Sequence, residues 1–333
     1  MKPFYECALF VAGLVFGSFL NVCITRIPRD ESILRPRSHC RNCGAPIRWW
    51  DNIPLLGFLL LRGRCRDCAS PISFRYPVVE LLTAVVFAAC YQWFGLTWLT
   101  LKFCVFGFLL IGLIFMDAET GLLPHEFTYP GILLGLVFAW ITPGDAAGTW
   151  LLLALFHKHI ASARALSLLD ASIGALVGAA FFYVTWALYY LLRKRHGLGF
   201  GDIALIAMSG AFLGLKLNLF VIFCGPVITV IYVVVLFVRE ALRPRAMAAA
   251  NSASAKVDAP DEATESAPRS FLEREIPFGV FLGISALLAT FFGEAAWAWY
   301  MGQFHRSVLA ALPAGSICRA LNFIRSNSPC SLV

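Results

Sequence analysis

The chain has 333 residues, 59% of them hydrophobic and 14% charged. That balance excludes a soluble domain of this size and places the chain among membrane proteins. Its formal charge of +7 says less than where the Lys and Arg residues fall.

Taken in order, the apolar runs predict eight spans, near 4–24, 77–95, 97–117, 127–142, 171–192, 203–214, 217–238 and 277–300. The fourth and sixth are short for a bilayer crossing. The first has no small-residue cleavage site after it and reads as an anchor rather than a signal peptide. With the N-terminus outside, the segments 25–76, 118–126, 193–202 and 239–276 face inward and carry 19 of the 27 Lys and Arg residues. This bias puts them in the cytosol. The expectation is an all-α integral membrane protein of about eight transmembrane helices. It has a first transmembrane helix (1–24), a cysteine-rich cytosolic module (25–76), a transmembrane core (77–240), a disordered linker (241–275), a last transmembrane helix (276–300) and a tail (301–333) of no clear class. Trp150 to Phe156 form an apolar run too short to cross.

The module at 25–76 is Arg-rich, broken by five prolines and too small for a large core, so it needs a staple. Cys40-x2-Cys43 and Cys65-x2-Cys68 supply one. Each two-residue gap turns a pair of thiolates onto one cation, and two pairs complete a closed tetrahedral set suited to structural zinc. Disulfides are disfavoured in the cytosol. Gly44 suits the tight turn after the first pair, and His39 is adjacent but surplus. The remaining cysteines in apolar runs, such as Cys23 and Cys90, read as small hydrophobes. The arginines of the module are explained by anionic lipid headgroups, with no need for nucleic acid.

Acidic residues at membrane depth are expensive and mark function. Asp117 ends the third run and Asp202 opens the sixth, both at cytosolic ends. Two carboxylates meeting there share one proton, so that one activates water and the other polarises a carbonyl. Gly199 and Gly201 beside Asp202 allow a substrate backbone to approach. The alternatives are an N-cap for Asp202, an interfacial position for Asp117, or an ion path through a transporter. Glu80 either serves a second chemistry or caps its helix or pairs with an arginine such as Arg75. Glu119 and Glu126 either attract a basic peptide or are solvated. Trp49 and Trp50 read as interfacial anchors.

Four blocks in order carry a resemblance: GSFLNVCITRIP (17–28); the cysteine module through WWDNIPLL (49–56), LRGRC (61–65) and RYPVVELL (75–82); DAETGLLP (117–124); and GFGD (199–202) with IPFG (276–279). Together they resemble the bifunctional type IV prepilin peptidases, membrane aspartic peptidases of the Gly-x-Gly-Asp type. The resemblance implies that Asp117 and Asp202 are the peptidase pair and that cleavage falls on the cytosolic side, after the glycine that precedes the hydrophobic helix of a prepilin or pseudopilin. The large cysteine loop implies N-methylation of the new terminal residue from S-adenosylmethionine; no Gly-rich fingerprint marks where that donor binds. In this frame Glu80 is a candidate for the methyl-transfer site or for holding the substrate amine. Peptidase-only activity, or a non-enzymatic transporter or scaffold with a zinc-bound loop, is the alternative. The chain departs from the family pattern at His125, where an Asp is usual, and at Ala204, where a Lys is usual. Which substrates are processed, and in what oligomeric state, is not readable from the sequence.

Overall fold

The computed structural model describes residues 2–144, 149, 162–194, 199–241 and 277–311; the linker at 241–275 beyond its first residue, most of the tail, and the run from Trp150 to Phe156 lie outside the described residues. The chain divides into two compact units, Met1–Thr290 and Phe291–Val333, and the site lies in the first.

Apolar sequence inside a bilayer has no water to satisfy its backbone, so each run must close its own hydrogen bonds as a helix. The described residues form helices α1 (Lys2–Arg26), α2 (Leu56–Leu60), α3 (Arg75–Phe94), α4 (Trp98–Thr120), α5 (His125–Ile141), α6 (Ala163–Arg193), α7 (Phe200–Ala241) and α8 (Phe278–Ala311). They include no named strand, only two isolated bridges in the cysteine module. Six helices (all but α2 and α5) are long and apolar enough to cross a membrane. This is a multi-pass membrane protein. The eight runs of the sequence map onto these six, the 17-residue α5, and a division of α7 at Gly214, whose φ of 76° and ψ of 179° interrupt the helix. That conformation belongs to glycine alone. A side chain there would also strike Asp170, since a Cβ would lie 1.9 Å from its Oδ2.

Small residues set the crossings. Gly13 and Gly17, one turn apart on α1, let α3 come so near that a Cβ would meet Ala84 Cα at 2.5 Å and Glu80 Cα at 2.7 Å. This is the close backbone approach that small-xxx-small spacing gives in membranes. Gly174 on α6 and Gly210 on α7 meet in the same way, a Cβ on Gly210 coming within 2.4 Å of the Gly174 backbone. Between α4 and α7, Phe106 and Phe212 stack at 4.6 Å, both almost fully buried. The end of α4, the start of α7 and the start of α8 meet at one end of the bundle, where Leu123 packs against Gly201 and Gly279.

Candidate active site and cysteine module

Asp117 lies in the last turn of α4, which Gly121 terminates in the left-handed conformation (φ +65°). Its Oδ2 accepts the backbone N–H of Val280, in the first turn of α8, at 2.9 Å. The first N–H groups of a helix have no intrahelical partner and carry its positive end, so α8 fixes this carboxylate. Asp202 is the third residue of α7 and accepts the N–H of Gly199 at 3.3 Å. Asp202 is therefore not the N-cap itself: Gly199 precedes the helix and Asp202 reaches back to it from the third position, as in half of a capping box.

The structure brings the two aspartates together. Both are buried, 6% and 7% exposed, and Asp117 is near enough for its charge to act on Asp202. Leu123, from the loop after Asp117, is the wedge between the blocks. A Cβ on Gly201 would lie 2.6 Å from Leu123 Cβ, and one on Gly279 would lie 2.8 Å from Leu123 Cδ1 and 2.9 Å from Asp117 Oδ2. Gly201 and Gly279 are thus needed for space. Gly199, whose Cβ would be 3.5 Å from Asp202 Oδ2, is needed less. Leu123 and Gly279 fall inside the DAETGLLP and IPFG blocks with no role legible there, and the Val280 amide has no signal in the sequence beyond the Pro-Phe-Gly start of α8.

In the module, the four thiols converge: the sulfurs of Cys40, Cys43, Cys65 and Cys68 lie within 4.8 Å of one another. Cys40 and Cys68 are 3.8 Å apart. A tetrahedron with Zn–S bonds of about 2.3 Å has edges of roughly 3.8 Å, so the donor set fits zinc. The two knuckles repeat one geometry. Cys40 N–H donates to Ala45 O at 2.9 Å and Cys65 N–H to Ser70 O at 2.8 Å. The residues after the second cysteines, Gly44 and Ala69, share positive φ of 72° and 57°. The Ser70 hydroxyl, 3.1 Å from Cys68 Sγ, is the chief cause that holds this thiol down to about 6, favouring the thiolate a metal takes. His39 is not part of the cluster. Arg66 forks onto Asp51 with bonds of 2.8 and 2.5 Å, and its guanidinium holds that carboxyl below the usual carboxylate range.

Glu80 does not pair with Arg75. Its Oε2 accepts the N–H of Leu55 at 2.8 Å, tying the module to α3. Arg75 instead reaches Thr25 Oγ1 at 2.8 Å and forms an ion pair with Glu119, because the end of α4 lies nearer to it than the buried side of its own helix. Trp49 and Trp50 are exposed, Trp50 beneath the Arg48 guanidinium. A cavity of about 900 Å3 opens between the knuckles and the ends of α1 and α3, lined among others by Asn21, Arg75, Glu80 and Glu119. It does not include Asp117 or Asp202.

A family model described as the bacterial peptidase A24 N-terminal domain matches residues 11–94, and the type IV leader peptidase family model matches residues 103–234.

The chain belongs to the type IV leader peptidase family.

Among relatives of this family, a prepilin leader peptidase/N-methyltransferase of Myxococcus xanthus is 42% identical over 63% of this chain and 57% of its own length. Proteins of the same description from Neisseria gonorrhoeae and Aeromonas hydrophila are 35% and 32% identical, over 72% and 90% of this chain and 85% and 95% of their lengths. The chain thus spans just over half of the first relative and most of the other two. No solved structure matches it.

Proposed function

We propose that this chain cleaves the leader from type IV prepilins and pseudopilins at the cytosolic face of the inner membrane and N-methylates the residue it exposes. The observation that carries the peptidase reading is the meeting of two buried aspartates from distant segments, each held through one oxygen by a backbone N–H at the start of a helix.

In this reading the ionised member of the pair takes a proton from water as the water attacks the scissile carbonyl. The protonated member donates to the carbonyl oxygen. Collapse of the tetrahedral species breaks the C–N bond, and the leaving amine takes up a proton. Gly201 and Gly279 leave room for an extended backbone beside the carboxylates. Charge development here occurs away from bulk water, where fixed backbone dipoles count most.

The four cysteines hold a structural zinc: a closed thiolate set with no open position, which keeps the module in shape. S-adenosylmethionine supplies the methyl group. The division into helix, module, core, linker and tail belongs to this same reading, as does contact of the Arg-rich module with anionic lipid. The test is purified protein in detergent, incubated with a prepilin and S-adenosylmethionine, and the product's N-terminus read by mass spectrometry. A terminus after the leader glycine, one methyl heavier than the bare residue, is the expected result. A bare terminus favours peptidase-only activity, and an intact prepilin contradicts the reading.

A further inference from the structure

Asn21 and Glu80 stand apart from the peptidase pair, and both face the cavity beneath the cysteine module. Both are buried, 2% and 7% exposed. Asn21 spends its Nδ2 on the Tyr76 carbonyl, 3.0 Å away, and its buried Oδ1 has no partner. Glu80 accepts the Leu55 N–H and a hydrogen bond from the Ser18 side chain, and neither ion pair found among the described residues involves it. A buried carboxylate with no ion pair and an amide oxygen with no donor, lining one cavity, leave a place for a positively charged N–H group from a ligand; Arg75, which lines the cavity too, is turned to Thr25 and Glu119. Gly17 creates it, because only its missing side chain lets α3 carry Glu80 against α1 beside Asn21.

We infer that Asn21 and Glu80 bind the free α-amine of the cleaved substrate for methyl transfer. This rests on the bifunctional reading above. Depth selects the amine over the methyl donor. The cleaved substrate begins with an apolar helix that stays in the bilayer, so its terminus emerges level with helix ends. Asn21 and Glu80 lie at that level, near the end of α1 and the start of α3. The donor, soluble and larger, fits the part of the cavity among the knuckles; its size is usual for sites binding ligands of this kind. Glu119, two residues past Asp117 on α4, lines the same cavity, so an amine freed at the peptidase pair need not leave this face.

The α-amine is largely an ammonium at neutral pH and is not nucleophilic in that form. Glu80 accepts one proton from it, and Asn21 Oδ1 accepts a remaining N–H and orients the lone pair. The nitrogen then forms a bond to the donor's methyl carbon as the carbon–sulfur bond breaks, its electron pair remaining on sulfur. The sulfonium becomes a neutral thioether, and the positive charge passes to the methylated amine.

The test uses the full chain in detergent with a pre-cleaved pilin bearing a free N-terminus. Glu80→Gln keeps an oxygen for the Leu55 N–H but cannot take the proton. Its methyl-transfer turnover is expected to fall roughly a hundredfold, with S-adenosylmethionine affinity by calorimetry within about twofold of the parent. Glu80→Asp, which restores the carboxylate, recovers part of the rate. Prepilin cleavage reports that each variant is folded. Methylation by Glu80→Gln at the parent rate overturns the assignment. So does a loss of donor affinity that matches the loss of turnover, or a loss of cleavage in both variants. Absence of methylation by the parent protein overturns the bifunctional reading itself.

Discussion

The carboxylate of Asp117 is held at 2.9 Å by the backbone N–H of Val280, a residue 163 positions later in the chain. The last helix therefore positions the first aspartate. Gly279, the residue before, has no side chain because one would meet both Asp117 Oδ2 and Leu123. Gly279→Ala is expected to lower prepilin cleavage by roughly tenfold or more while leaving the protein folded, since a misplacement of a few tenths of an ångström is felt at the reacting groups and little elsewhere. Cleavage kinetics alongside a thermal melt in detergent check this.

The two knuckles offer an internal comparison. Gly44 and Ala69 occupy the same left-handed position, and only glycine adopts it without strain. Ala69→Gly is expected to stabilise the module by about 0.5–1 kcal/mol, and Gly44→Ala to destabilise it by about 1 kcal/mol. Competition with a chelator, read as metal retained per chain, should rank Ala69→Gly above the parent and the parent above Gly44→Ala.

Removal of the metal should separate the two activities. Cys40→Ser or Cys65→Ser is expected to abolish stoichiometric zinc by elemental analysis and to remove methyl transfer, with cleavage reduced but present. The knuckles frame the cavity, whereas the aspartates lie outside it. Parent protein purified without any metal would contradict the zinc assignment.

Gly214 is a structural counterpart. Substitution by Ala forces a strained conformation and a clash with Asp170 Oδ2, and is expected to cost about 3 kcal/mol or more. A sharply lower yield of folded protein, with cleavage per folded molecule unchanged, is the outcome to look for.

The sequence made the helices and the two chemical clusters legible for a physical reason. A bilayer forces each apolar run into one element, and acidic residues there are too costly to be incidental. Paired cysteines two residues apart announce their own geometry. Contacts across the fold were less legible. Nothing local tells that Arg75 turns to Glu119 and leaves Glu80 to Leu55, because the choice depends on how closely α1, α3 and α4 pack. Asp202 reads from the sequence as a cap or a catalyst, and only the fold places it one turn into α7 with its carboxylate on the Gly199 N–H. The roles of Leu123 and the Val280 amide emerge only once α4, α7 and α8 share an end. The break at Gly214 showed itself as two short runs, while its strain is a property of the backbone alone.

The most direct test of the account is prepilin cleavage by Asp117→Asn and Asp202→Asn, each purified in detergent and compared with the parent at equal folded concentration. Either change removes the group that must carry or exchange a proton, and each variant is expected to cleave at least about a thousandfold more slowly. Cleavage at the parent rate by either variant would contradict the aspartate-pair mechanism.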